Sequence, residues 1–142
     1  MSWPLQDHAN AVLALLAADA QLVTYDGKVP DPPAVPAQQY VLVYMSGSTP
    51  DGSVAPDKVR LSNDSDVLDL SVVCHCVGGN AAAARAISGR VRALLLNVRP
   101  TIANRVCLPI RWREGQPAQR DETTGRLVMD QVDVYGLVTV PG

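Results

Sequence analysis

Cys74-His75-Cys76 puts two thiols and an imidazole in three consecutive positions, the densest set of metal-ligating and nucleophilic groups in the chain. Two chemistries use such groups: zinc coordination, and attack by a thiolate with a neighbouring base. The surrounding Val67–Val77 segment alternates apolar and polar residues, which predicts a strand with Cys74 and Cys76 on one face and His75 on the other. His75 therefore cannot meet both thiols at one ion without a bulge, and no second Cys/His cluster completes the four ligands of a structural zinc site. The two sulfurs, roughly 6–7 Å apart on one face, are poorly placed to bond to each other. The apolar face also buries them, where a reactive thiol needs exposure and a depressed pKa. Other candidates are weaker. His8 is the only other histidine, and no Gly-x-Ser-x-Gly elbow is present. Gly78-Gly79-Asn80 at a helix start resembles an anion nest, but the Lys and Ser/Thr of a phosphate loop are replaced by alanines. Asp64, Asp66 and Asp69 lack the Gly and Glu of a calcium loop. The reading assigns no catalytic, cofactor-binding or metal-binding residue.

Charge carries more information. Between Asn80 and Arg120 lie eight arginines and a single acid, Glu114, so this segment sums to +7, against −6 for residues 1–79 and −3 for residues 121–142. The overall charge of −2 conceals that division. A fold that keeps part of it has one acidic and one basic surface, which suits head-to-tail contact with copies of itself or with charged partners. A chain of 142 residues reads as one domain, 1–142, able to bury a core without staples. Phe is absent, so that core is built from Val, Leu, Ile and Ala. Three cysteines, an odd number, fit reduced thiols. Ala11–Ala18 is apolar but follows Asp7, with no basic residue before Lys28, unlike a secretory signal. No apolar run approaches the ~20 residues that span a bilayer, and the expected compartment is the cytoplasm.

The elements follow from periodicity. Leu5, Ala9, Val12, Leu13 and Leu16 form one stripe of a first helix, with Ser2 a candidate cap and Pro4 in the first turn. Leu22–Tyr25 reads as a short strand before an Asp26-Gly27 turn. Pro30, Pro32, Pro33 and Pro36 make a stiff connector. Tyr40–Met45, apolar throughout, predicts a strand covered on both faces. Ser46–Asp66 reads as a long polar arm with a candidate short strand at Val59–Leu61. Asn80 caps a second helix over Ala81–Val98, Val106–Trp112 makes a strand, Arg113–Arg126 a polar loop, and Leu127–Val140 the longest strand. In that strand Val128, Val132, Val134, Val138 and Val140 are expected to face the core.

The second helix has two apolar stripes. Ala84, Ile87, Val91, Leu94 and Val98 should cover the sheet; Ala82, Ala86, Gly89, Ala93 and Leu96 lie opposite, with Arg85, Arg92 and Arg99 along the border at seven-residue spacing. A helix apolar on both sides is packed on both sides. The second neighbour is either the first helix or another subunit. Arg85, Arg92, Arg99, Ala86 and Gly89 are the candidate interface residues.

This order of elements resembles the tail terminator proteins of long-tailed bacteriophages, the minor tail protein U-like group. The residues carrying the resemblance are Val23–Pro30 (VTYDGKVP), Tyr40–Tyr44 (YVLVY), Ala84–Leu95 (ARAISGRVRALL) and Asp133–Tyr135 (DVY). The resemblance implies an α+β fold, a mainly antiparallel sheet of about five strands with two helices packed on it and long polar loops. It implies a structural protein, not an enzyme: a homo-oligomeric ring, a hexamer in that family, that caps the tail tube, ends elongation and provides the surface that joins the head. The implied partners are other copies of itself, the tail tube protein and the head-tail connector protein, with passing contact with DNA through the ring, no membrane and no cofactor. The implied location is the host cytoplasm during assembly and then the head-proximal end of the virion tail. A neck or head-completion protein is the nearest alternative, and a small cytoplasmic thiol enzyme a more distant one.

Overall fold

Alternation of large apolar residues through Leu68–Gly78 makes the central strand of the sheet, as expected of a segment with one face on a core. The computed structural model describes residues 4–31, 34, 36–48, 67–122 and 127–142. Its elements are α1 (Leu5–Ala17), β1 (Thr24–Asp26), β2 (Tyr40–Ser48), β3 (Leu68–Gly78), α2 (Ala81–Leu95), β4 (Arg105–Cys107), β5 (Arg111–Gly115), β6 (Gln119–Asp121) and β7 (Val128–Pro141). The strands run β1-β2-β3-β7-β4, with β5 and β6 also paired to β7. Every pairing is antiparallel except β1 with β2. The fold is α+β, as expected.

One face of the sheet meets both helices. Leu70, Val72, Cys74 and Cys76 of β3 pack with Val12 and Leu16 of α1 and with Ile87, Val91 and Leu95 of α2. Each large aliphatic side chain among them contributes about 1.5–3 kcal/mol by leaving water. Asn80 caps α2 by accepting from the Ala83 N–H at 2.8 Å. The helix stops at Leu95, short of the expected Val98, because Leu96 turns extended and Asn97 adopts φ 64°. Asn is one of the few non-glycine residues that accept that conformation.

Several expectations need correction. In α1 the buried line is His8, Val12 and Leu16, and Ala9 and Leu13 lie only half-buried. Pro4 occupies the cap position with no side-chain cap, while Ser2 lies outside the described residues. The early strand is Thr24–Asp26. Val106–Trp112 is two strands, since Pro109 cannot donate to the ladder and the chain shifts along β7. The polar loop after it is partly sheet, as β5 extends to Gly115 and β6 pairs with Val128–Asp130. Tyr40–Met45 is not covered on both faces: Tyr44 is 45% exposed. Most of the polar arm, including Val59–Leu61, lies outside the described residues.

The largest correction concerns β7, whose faces are reversed. The core receives Asp133, Tyr135, Leu137 and Thr139, while Val132, Val134, Val138 and Val140 lie half-buried on the other face. The two polar residues are tolerated inside because each is hydrogen-bonded. Asp133 accepts from Ser88 Oγ at 2.5 Å and from Trp112 Nε1 at 3.3 Å. Thr139 Oγ1 lies 2.6 Å from His8 Nε2 and accepts from Arg105 Nε at 3.1 Å. This second network fastens α1 to the last strand.

Candidate functional site

Cys74 and Cys76 lie fully buried on the helix-covered face, and His75 points away from both. Burial pushes the Cys74 thiol up to about 12 and raises Cys76 as well. A thiolate is thus strongly disfavoured at both positions. Cys107 is also free and buried, its pKa raised by desolvation. Among the described residues no group of three or more His, Cys, Asp or Glu is placed to hold a metal ion; Asp64 and Asp66 fall outside them. No helix among the described residues is long and apolar enough to cross a membrane.

The outer side of α2 is open. Ala82, Arg85, Ala86, Gly89, Arg92 and Ala93 are all exposed. The reading that packs this stripe on the first helix therefore fails. The turn that follows α1 meets α2 along another edge, where Asp19 accepts from Arg90 at 2.9 and 2.7 Å. That bond, first among several causes, holds the Asp19 carboxyl below its ordinary range.

The arginines separate into held and unheld. Arg92 lies 5.8 Å from the Trp112 ring centroid, a cation–π arrangement. Arg111 bonds Asn97, Arg113 pairs with Asp69 at 2.5 Å, and Arg120 pairs with Glu122. Arg105 is bound at Thr139. Arg85 and Arg99 have no ion-pair or hydrogen-bond partner among the described residues. The three predicted border arginines thus differ. One is braced on an aromatic ring; Arg85 stands on a low helix surface; Arg99 lies exposed past the helix end.

On the opposite face of the sheet the chain returns from β1 across β2 and forms a cleft of about 490 Å³. Its apolar wall includes Val29, Pro36, Tyr40 and Leu42. Tyr25 stacks edge-on to Tyr40 at 5.2 Å and its hydroxyl accepts from the Ala37 N–H at 3.1 Å, so the Pro-rich return is held in place. At the polar end sit His75, Asp121 and Asp130. His75 Nδ1 donates to Asp130 Oδ2 at 2.8 Å, and its ring meets Tyr44 edge-on at 5.5 Å. The Asp130 bond, outweighing burial, raises the His75 pKa. The second oxygen of Asp130 is buried without a partner among the described residues. Sequence reasoning missed this cleft: its acids come from β6 and β7, far from His75 in the chain, and the reversed faces of β7 hid Asp130.

No protein-family model and no curated protein sequence matches the chain. Two solved structures share its fold over nearly the whole length. One is a chain from the virion of a native gene transfer agent particle, with TM-score 0.66 and 21% identity, covering 99% of this chain and 100% of that one. The other, whose name states no function, has TM-score 0.62 and 17% identity, covering 98% and 96%.

Proposed function

We propose that this protein is a structural component of a tailed phage or a phage-derived particle, and that it acts as a tail terminator. The observation that carries the reading is the end-to-end likeness of fold to a chain found in a virion particle. It agrees with the element order and with the VTYDGKVP, YVLVY and ARAISGRVRALL segments that resemble the terminator family. The buried thiols with raised pKa values count against the enzyme alternative.

In this reading several copies form a ring on the last layer of the tail tube. The ring covers the surface that the next layer of tube protein needs, so occlusion alone ends growth and no reaction is required. Its far face meets the head-tail connector protein, and DNA passes through the centre. The single-layered sheet with helices on one side gives each subunit two unlike broad faces, which is what head-to-tail closure of a ring uses.

Removing the gene from its phage or particle tests this. The expected result is tails of uncontrolled length that fail to join heads, with purified protein restoring joining only to tails not yet overgrown. Tails of normal length with unjoined or leaking heads would refute the terminator role and favour the neck-protein alternative.

A further inference from the structure

We propose that the exposed side of α2 binds the phosphate backbone of double-stranded DNA, regardless of sequence, through Arg85 and Arg92. This rests on the ring reading above and adds to it which side of each subunit is turned to the channel, namely the side that carries α2.

Charge is the first observation. No Asp or Glu occurs from Asn80 through Arg113. Arg85 and Arg92 are both exposed on α2, and neither has a carboxylate partner among the described residues. The Trp112 ring beside Arg92 steadies its guanidinium but does not neutralise it. The acids packed near the helix are already engaged. Asp19 holds Arg90 on another edge, and Asp133 is buried, accepting from Ser88 and Trp112. Glu114, the next acid in sequence, pairs with Val134 and so stands on the helix-free side of the sheet.

Shape is the second. Ala82, Ala86, Gly89 and Ala93 are exposed around the two arginines, and a Cβ added at Gly89 would meet nothing within 4 Å. The surface is low, and the guanidinium groups stand highest on it. Such a face has little apolar area to bury against a protein, yet a charged rod can lie close along it. Arg85 and Arg92 are two helical turns apart, about 10 Å along the axis. Duplex DNA carries one charge per ~1.7 Å of its own axis, so both side chains meet phosphates in any register.

The third observation selects DNA over a second copy of this chain. Asp31, Asp69 and Glu122 are ion-paired within the subunit, as Asp19 is, and Asp130 is bonded to His75. Asp7, Asp26 and Glu114 are exposed without an ion-pair partner among the described residues, but they lie on three different elements, α1, β1 and β5. Among the described residues another copy therefore offers no acidic cluster to match the arginine pair. Phosphate contact carries no sequence preference and permits sliding, as passage of DNA through a ring requires. The same face recurs in every copy around the channel, so weak single contacts reinforce one another.

The test titrates the full chain into a short DNA duplex of mixed sequence, read by fluorescence anisotropy between ~50 and 200 mM salt, with ring formation followed in parallel by sedimentation velocity. The wild type should bind, and less tightly as salt rises. The double variant Arg85→Gln, Arg92→Gln should bind at least tenfold more weakly, with a salt slope shallower by about 1 for each arginine that contacts a phosphate. Arg120→Gln removes an exposed arginine already paired with Glu122 and should leave binding and slope unchanged. Circular dichroism should show every variant folded. A ring without salt-dependent DNA binding, a double variant that binds like the wild type, or an equal loss per charge removed in Arg120→Gln would overturn the proposal and leave the ring reading intact. A folded double variant that no longer forms rings would also overturn it, since the face would then lie between copies. DNA binding of the expected kind by a chain that forms no ring at any concentration would uphold the contact and overturn the ring reading.

Discussion

Thr139→Val is the sharpest probe of how the N-terminal helix is held to the sheet. His8 is fully buried. Its Nδ1 lies 2.6 Å from the Pro4 carbonyl, which can only accept, so Nδ1 carries the proton. Burial, the largest influence, lowers the His8 pKa, keeping the ring neutral. Nε2 must then accept, and the Thr139 hydroxyl at 2.6 Å donates to it while itself accepting from Arg105. Valine keeps the shape of threonine and removes the hydroxyl. The His8 nitrogen is left buried without a donor, a penalty of ~1–3 kcal/mol. Arg105 keeps its bond to the Thr139 carbonyl at 3.0 Å but loses those to the hydroxyl. We expect a loss of about 2–3 kcal/mol, read by thermal unfolding as a fall of roughly 6–12 °C for a chain of this size. Thr139→Ser keeps the hydroxyl and should recover most of the difference. If the valine variant melts within a degree or two of the wild type, or the serine variant is just as damaged, the hydroxyl is not the link and the assignment of the His8 proton is wrong.

Two glycines should respond differently to alanine. At Gly78 a new Cβ would fall 2.6 Å from the Ala84 backbone nitrogen, so Gly78→Ala should cost ~1–3 kcal/mol in denaturant unfolding; at Gly136 the nearest atoms it meets belong to the movable Arg113 side chain, and loss of the part-exposed Arg113–Asp69 pair should cost ~1 kcal/mol or less. Cys74 and Cys76 should resist a thiol reagent in native protein and react on unfolding; rapid native labelling would refute their burial. The histidines should oppose each other in pH titration. His75, raised by Asp130, contributes stability that is full below the ordinary 6.5 and is lost as pH rises through its folded value; His8, lowered by burial, contributes stability that is full above 6.5 and is lost as pH falls. Two-dimensional NMR of the ring protons should place their midpoints on opposite sides of 6.5, and Asp130→Asn should move only the His75 midpoint downward.

Where one segment carries its own instructions, the sequence was a sufficient guide. The alternation of Leu68–Cys76 set both the strand and its faces, and Asn80 set the start of α2. The two stripes of α2 were legible as well, but not what lies against the small one: that depends on where α1 docks, and the turn after α1 is tied to another edge of α2 through Asp19 and Arg90 instead. The reading failed where a distant partner decides. Counting valines put the wrong side of β7 inward, because Asp133 and Thr139 look like surface residues until Ser88, Trp112, His8 and Arg105 are brought to them. The choice between faces was made by hydrogen bonds spanning up to 131 residues of sequence. The acidic cleft was illegible for the same reason: its polar end draws on β2, β3, β6 and β7.

The charge map shows how far a segment sum can mislead. The +7 of residues 80–120 suggests a broad basic surface. In the fold, Arg90, Arg113 and Arg120 sit on Asp19, Asp69 and Glu122, two of those acids coming from the acidic first part of the chain. Arg105 and Arg111 are bound to neutral acceptors, and Arg92 to an indole ring. The segregation in sequence is therefore largely spent on joining the parts of one subunit. At ~8 Å screening length in physiological salt, what a neighbour senses is not the segment total but the few charges at the contact itself. That moves the weight of the association argument from long-range steering to local fit.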